Sequence, residues 1–313
     1  MIDFRYHLVS LIAVFLAVAL GIVIGTTQLN GPVLDGLEAQ VGALTDDKNS
    51  LEAETDSLTE QLTQDDAYDD AVAPLIVANR LVGSSVLVVV TNDEVTPDIV
   101  GQITSLLGAS GAEMAGTLRL QPAFTDPQTA PDLQEYVTGS GLPPGVTLPE
   151  TDDTATLVAS LMSQVLMRPA DGGPAPPSTA TATVLAGLAA LGVVTSESGD
   201  VESADYVLIL TGGGFTGEDA ETRNQALVSL AVALDTGGSG GVVAGDVSAD
   251  AEGGLVAAVR ADGGAATTLS TVNNVDAASG RVAALLALTA ERTGQSGNYG
   301  VGEGTVPLPP LAP

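Results

Sequence analysis

The first run of apolar residues lies close to the N-terminus. Nearly every residue from Leu8 to Ile24 is hydrophobic, and the 20 residues from Tyr6 to Gly25 would form a helix of about 30 Å, long enough to cross a bilayer. A cleaved signal peptide has a shorter core of about 7–15 residues that ends at a small-residue site. Here the AVA match, residues 17–19, lies in the middle of the run. We therefore predict an uncleaved membrane anchor over residues 1–28, with a cleaved signal peptide as the alternative.

The charges around this run indicate its orientation. Arg5 precedes it, whereas the stretch from Asp35 to Asp70 contains twelve Asp or Glu residues and one Lys. Basic residues that flank a membrane helix favour the cytoplasmic side. We predict a single-pass protein of the cell membrane, with a cytoplasmic N-terminus and an exported remainder, over an outer-envelope location. His7 is expected to be a polar flank of the helix, with a proton or metal relay as the alternative.

A second periodic pattern follows the apolar run. Seam positions recur at alternating spacings of three and four residues, which is typical of a coiled coil. Leucines at the d positions, with branched or polar residues at the a positions, favour two parallel strands. The seam residues are Leu34, Leu37, Val41, Leu44, Lys48, Leu51, Thr55, Leu58 and Leu62. We predict a homodimeric stalk over residues 29–70; the alternative is an amphipathic helix packed on its own domain.

Acidic side chains flank this seam. Glu38, Asp47, Glu52 and Glu54 occupy e and g positions without basic partners on the facing helix. Two parallel copies would therefore repel each other, and we expect dimer stability to rise with ionic strength. The four aspartates within residues 65–70 are expected to form a solvated acidic face, because they lack the ligand spacing of a calcium-binding loop.

Short apolar runs alternate with helical patterns beyond the stalk. The run Ser85–Thr91 is continuous and β-branched, as in strands that are buried on both faces of a parallel sheet. The other predicted strands span residues 113–120, 206–210, 241–246 and 267–272, and the predicted helices span 97–107, 152–167, 218–235, 255–260 and 277–292. This alternation predicts an α/β layered domain with a mainly parallel sheet over residues 71–296. Residues 121–149 and 171–179 are predicted to be loops, and residues 297–313 a flexible tail.

Composition excludes several kinds of chemistry. The chain has 39 acidic and 9 basic residues, and its net charge of −30 opposes binding to nucleic acid. It has no cysteine, and its single histidine, His7, lies beside the membrane run. Thiolate metal sites, cysteine nucleophiles and a Ser-His-Asp triad in the exported part are therefore excluded. We predict a non-enzymatic protein that carries no cofactor.

One glycine-rich turn is a candidate nucleotide site. It matches G-x-G-x-x-G between a predicted strand and a predicted helix, and an acid that could bind a ribose ends the next strand. The candidate residues are Gly212, Gly214, Gly217 and Asp246. Against this interpretation, Glu218 and Asp219 would repel a pyrophosphate at the helix N-terminus. We favour a structural turn in which Thr216 and Asp219 cap the helix.

Candidate ligands for a soft metal are few. Beyond the membrane run, sulfur, which Cu(I) prefers, is present only in Met114, Met162 and Met167. Met162 and Met167 are five residues apart and would lie on different sides of a helix. We therefore expect these side chains to pack in the core, and we predict no metal site.

Two stretches of the chain resemble a known family. The sequence FRYHLVSLIAVFLAVALGIVIGT (residues 4–26), followed by the predicted stalk, resembles the start of the actinobacterial copper transporter MctB family, whose cell-division member is called SteB. The sequence STVNNVDAASGRVAALLAL (270–288), followed by GNYG (297–300), resembles the ending of that family, in which an acidic residue is expected at the position of Asn273. Order and spacing agree across nearly the whole chain, outside the two predicted loops.

The resemblance implies a membrane helix, a stalk and an α/β domain that together act in copper homeostasis. SteB-like members instead imply a scaffold that works with a cytoplasmic SteA-like partner to control peptidoglycan hydrolysis. No copper-ligand motif of the family can be matched to this chain. We therefore predict an MctB-like membrane protein of the cell envelope that acts as a non-catalytic dimeric scaffold. The alternatives are a SteB-like cell-division factor and a nucleotide-binding α/β domain.

Overall fold

The computed structural model describes residues 4–139 and 142–310, apart from the side chains of residues 26–35. It divides into two compact units, residues 1–65 and 66–313. The first unit is helical throughout its described part. Its segment Phe4–Gly25 has a mean hydropathy of 2.9 and is, within the described residues, the one helical segment long and apolar enough to cross a membrane.

The second unit is an α/β domain. Its helices, after the end of α1 (Phe4–Val77), are α2 (Pro97–Ala109), α3 (Ala130–Thr138), α4 (Thr154–Leu166), α5 (Ser178–Ala190), α6 (Ala220–Gly237), α7 (Leu255–Ala261), α8 (Ala265–Thr268) and α9 (Ala278–Glu291). Its strands are β1 (Ser85–Val90), β2 (Glu113–Leu120), β3 (Val194–Ser196), β4 (Tyr206–Thr211), β5 (Gly241–Gly245), β6 (Ser270–Val272) and β7 (Asn298–Tyr299). This architecture confirms the predicted α/β class.

The strands form one sheet in the order β3-β2-β1-β4-β5-β6-β7 across the described residues. All neighbours are parallel except β2 and β3, which are antiparallel. The chain moves outward from β1 to β2 and then returns to the other side of β1 to form β4. The carboxyl ends of β1 and β4 therefore define a topological switch point, where ligands commonly bind in open α/β sheets.

Apolar side chains cover both faces of this sheet. Leu87 and Val89 of β1 belong to the layer packed against α4 and α6. Val86, Val88 and Val90 belong to the opposite layer, which is packed against α2, α9 and the end of α1. Because successive strand residues point to opposite faces, burial on both faces explains why β1 is a continuous apolar run.

Several segments differ from the sequence prediction. The expected loop 121–149 contains α3, because Leu133 and Val137 turn inward and pack against the core. Helix α5 and the short strand β3 were not predicted, since an Ala/Thr-rich helix and a three-residue strand have weak patterns. Residues 267–272 form the end of α8 followed by β6 rather than one strand.

The expected tail also begins differently. Its first residues include β7, which pairs in parallel with β6 through Thr271 with Asn298 and Val272 with Tyr299. Residues 298–299 therefore extend the sheet beyond the predicted boundary at residue 296. A two-residue strand is too short to produce a recognisable alternation of apolar and polar positions.

Candidate functional site

The glycine-rich turn lies at the topological switch point. It follows β4 directly, beside the residues that follow β1 in the adjacent position. The Asn92 Nδ2 atom donates a hydrogen bond to the Gly212 carbonyl oxygen at 2.6 Å. Gly213 has a φ of 60°, a left-handed conformation that favours glycine. The turn is thus in the position that nucleotide-binding turns use, although here it follows the fourth strand.

Two backbone amides of this turn already donate to protein acceptors. The Gly213 N–H donates to the Asp246 carboxylate at 3.2 Å, and the Phe215 N–H donates to the Gly253 carbonyl at 2.8 Å. A Cβ atom at Gly214 would lie only 2.9 Å from the Gly253 carbonyl carbon. A pyrophosphate site needs such N–H groups to face the ligand. This arrangement favours a structural role for the turn.

The predicted capping arrangement at this turn is wrong. Helix α6 begins at Ala220, and the preceding residue, Asp219, forms no side-chain capping hydrogen bond. Asp246 instead caps the short 3₁₀ turn Val247–Asp250, accepting from the Ala249 N–H at 2.8 Å. The signal for this role was local, because an Asp before a helical turn is a common N-cap.

The three candidate methionines do not converge. Met162 and Met167 are fully buried in the layer packed on α4 and α6, whereas Met114 packs against the opposite layer. The sheet separates the two sites, and the packing predicted for Met162 and Met167 is confirmed. In the described ranges, no group of three or more His, Cys, Asp or Glu residues is arranged to hold a metal ion.

The predicted seam forms an exposed, mostly apolar row on α1, called the leucine row below. Its described leucine and valine side chains are between 53% and 69% exposed in the single chain. These residues are Leu37, Val41, Leu44, Leu51, Leu58 and Leu62, while the side chain of Leu34 lies outside the described part. Lys48, in the same row, forms an ion pair with Glu52 at 2.8 Å, and the Thr55 hydroxyl donates to the Leu51 carbonyl.

Two of the aspartates in residues 65–70 have structural partners, so the prediction of a purely solvated acidic face is wrong for them. The Asp66 carboxylate accepts from the Ala278 N–H at the start of α9 at 2.6 Å. The Asp70 carboxylate accepts from the Arg281 Nη2 atom at 2.9 Å. Arg281 is only 2% exposed and also donates to the Asp276 carbonyl at 2.7 Å. The sequence signal for this contact is an isolated arginine within an otherwise apolar helix, which indicates a buried charge that needs an acidic partner.

The Asn273 side chain forms hydrogen bonds that hold the segment after β7 in place. Its Nδ2 atom donates to the Asp250 carboxylate at 2.7 Å and to the Val301 carbonyl at 2.8 Å. Its Oδ1 atom accepts from the Val301 N–H at 2.8 Å. Only an amide side chain both donates and accepts in this way, which explains an asparagine where the resemblance led us to expect an acid.

Replacing Asn273 with alanine is expected to lower the free energy of unfolding by about 2 kcal/mol, because it removes the three hydrogen bonds of a side chain that is only 3% exposed. It should also increase amide hydrogen exchange in residues 298–306. Chemical denaturation and exchange mass spectrometry measure both effects. Gln102→Ala, which removes an exposed amide bonded to Asp98, is the control and should change neither. Unchanged exchange in residues 298–306 would contradict this role for Asn273.

Two buried carboxyl groups lie near the amino ends of β5 and β6. Burial is the main cause that raises the pKa of Asp235 to about 6 and the pKa of Glu291 to about 7. The negative charge of Asp235 further raises the pKa of Glu291, while a hydrogen bond from the Ser270 hydroxyl, at 2.5 Å, opposes the increase. The folded chain therefore holds protons on these groups at a pH where the unfolded chain has lost them.

Stability should accordingly fall as pH rises from about 5 to 8, since the folded state binds more protons over this window. Glu291→Gln mimics the protonated acid, so it should leave stability near pH 5 unchanged. At pH 8 the variant should have a free energy of unfolding about 1–3 kcal/mol higher than that of the wild-type chain. Urea denaturation across pH provides the measurement, with the exposed Glu135→Gln as the control. A wild-type pH slope that Glu291→Gln leaves intact would refute the assignment.

Together these features define a class of protein. It combines an apolar N-terminal helix of membrane-spanning length, an exposed leucine row and an α/β domain whose glycine turn is closed by internal hydrogen bonds. The profile of the family described as "Copper transport outer membrane protein, MctB" matches residues 1–310, and the chain belongs to this family of membrane proteins.

Curated relatives agree with this assignment. A Mycobacterium tuberculosis protein named "Copper transporter MctB" is 33% identical over 98% of this chain and 98% of its own length. A Mycobacterium leprae protein of the same name is 32% identical over 98% of this chain and 99% of its own length. The similarity therefore includes the N-terminal helix as well as the α/β domain.

Proposed function

We propose that this chain contributes to copper homeostasis as a membrane-anchored, non-catalytic homodimer of the cell envelope. Its relatives' names support the link to copper. The observation that carries the dimeric role is the row of exposed leucines at coiled-coil spacing on α1. Such a row is unfavourable in water and is buried when two copies associate.

The proposed orientation places the N-terminus in the cytoplasm and the α/β domain on the exported side. Arg5 before the apolar helix and the scarcity of basic residues after it support this orientation. An exported α/β domain would meet components of the envelope, and contact with them is the proposed route by which the chain influences copper tolerance.

The proposed mode of action is contact with other envelope components rather than turnover or tight copper binding. Met162 and Met167 are enclosed by apolar neighbours, so their sulfur atoms are poorly placed to receive Cu(I). Carboxylates, which are abundant, are weak ligands for Cu(I). Competition titration of the full chain in detergent micelles against a chromophoric copper chelator tests this view. Stoichiometric binding that strips the chelator would restore direct copper handling.

Complementation of a deletion strain tests the dimeric role. We expect Leu44→Asp/Leu58→Asp, which places charges in the leucine row, to lose copper tolerance although the α/β domain remains folded. Ala39→Asp/Ala53→Asp adds the same charge at outward-facing heptad positions and should complement fully. Full tolerance from the leucine-row variant would contradict the proposal. Scoring division morphology in the same strains tests the SteB-like alternative, which predicts a division defect with normal copper tolerance.

A further inference from the structure

A groove of about 900 Å³ lies between α6 and α7, beside the glycine turn. Its buried and half-buried lining residues include Phe215, Val228 and Ala258 and form an apolar floor, whereas acidic residues, most of them exposed, form its rim. The rim carboxylates belong to Glu218, Glu221, Glu252 and Asp262. Arg223 lies over the Phe215 ring at 4.9 Å and is not among the lining residues. The groove therefore presents negative charge around an apolar floor.

Asn224 lines the groove and also a smaller cavity of about 60 Å³ at the switch point. The residue is only 7% exposed, and its Nδ2 atom donates to the Gly253 carbonyl at 2.7 Å. That hydrogen bond fixes the amide orientation and leaves the buried Oδ1 atom without a hydrogen-bond partner among the described residues. Asn92 lines the same small cavity, and its Oδ1 atom is likewise buried and unpartnered there.

A buried amide oxygen left without a donor costs about 1–3 kcal/mol, so a ligand group that donates to either oxygen is favoured. A ligand that fits them brings N–H or O–H donors, and the acidic rim favours a positively charged one. The apolar floor requires an aliphatic stem. A lysine side chain has all three properties, with three ammonium donors on a four-carbon stem. A divalent cation fits less well, since it prefers several carboxylate ligands around one point.

We propose that this groove binds a lysine-bearing segment of another polypeptide. The stem lies along the apolar floor, and the ammonium group donates to Asn224 at the inner end, while the rim carboxylates attract the positively charged segment as it approaches. The partner is a different protein, because the single lysine of this chain, Lys48, lies in the acidic stretch from Asp35 to Asp70, which the rim carboxylates repel. The site is separate from the leucine row and from copper.

Fluorescence anisotropy of the full chain in neutral detergent micelles tests this inference. The probe is a labelled peptide of alternating alanine and lysine, measured at physiological salt against the same peptide with every lysine acetylated. We expect the charged peptide to bind and the acetylated peptide not to bind. Glu218→Gln/Glu252→Gln and Asn224→Leu should each weaken binding by about tenfold, which equals about 1.4 kcal/mol.

Glu135→Gln/Glu150→Gln removes the same charge from exposed positions outside the groove and is the matched control. It should retain wild-type affinity; an equal loss in both double variants would mean non-specific attraction to an acidic protein and would overturn the proposal. Binding of the acetylated peptide would overturn it too. If Asn224→Leu fails to fold, the two double variants alone decide. An increase in thermal stability with Ca²⁺ that requires Asn224, without peptide binding, would replace the lysine site with a cation site.

Discussion

Replacing Leu51 with aspartate is expected to convert the chain from a homodimer into a monomer. Leu51 occupies a d position of the leucine row and is 64% exposed in the single chain. In a parallel dimer the substitution would place two carboxylates opposite each other in an apolar seam. We expect the dissociation constant to rise by about a hundredfold, or about 2.8 kcal/mol. Sedimentation velocity of the full chain in detergent micelles measures this change.

Ala53→Asp supplies the control for this experiment, because it adds the same charge at an f position that faces away from the seam. It should remain dimeric. The wild-type dimer should also become tighter at high salt, since the carboxylates beside the seam repel each other and salt screens that repulsion. A wild-type chain that stays monomeric at high salt would contradict the dimer, as would a dimeric Leu51→Asp variant.

Replacing Arg281 with methionine is expected to lower the free energy of unfolding by about 3 kcal/mol, at the lower end for breaking a buried ion pair. Methionine keeps most of the side-chain length but removes every donor. The carbonyl oxygens of Val275 and Asp276 lose those donors, and Asp70 loses its link to α9. Asp70 is partly exposed and can recover hydration, which limits the loss. Urea denaturation, analysed at constant m-value, provides the measurement.

Arg292→Met is the matched control at an exposed position of the same region, where the guanidinium donates to the Arg80 carbonyl. Its effect should stay below about 0.5 kcal/mol. Asp70→Asn should lie between the two, because it removes the charge but keeps an acceptor oxygen. If Arg281→Met and Arg292→Met had equal effects, the buried network would not be a stabilising element of the fold.

The sequence predicted the elements that have strong local patterns. Strands β1 and β4 are continuous apolar runs, and α2 and α9 have helical periodicity, so their positions were predicted within a few residues. Helix α3 was missed because proline, threonine and glycine dominate its surroundings. The strand order was also beyond local patterns, because it depends on which strands pair across the sheet.

The candidate site was predictable only in part. The glycine turn and the acid after β5 were located from their spacing, but the hydrogen bond that joins Gly213 to Asp246 links residues 33 apart. The Asn273 contact with Val301 spans 28 residues, and the Arg281 contact with Asp70 spans 211. No local periodicity encodes such partners. The structural roles of these long-range hydrogen bonds could therefore be identified only in the three-dimensional structure.

The two edge strands of the sheet are short, which limits edge-to-edge pairing between neighbouring molecules in a membrane. Strand β3 has three residues and β7 has two, so each offers a neighbouring molecule very little unpaired backbone. A long exposed edge strand can pair with the edge strand of another molecule, and repeated pairing leads to aggregation. A short edge strand offers too few backbone groups for such pairing. Association between copies therefore depends on side-chain contacts. Such contacts can limit an assembly to a fixed number of copies, whereas backbone pairing at a sheet edge cannot.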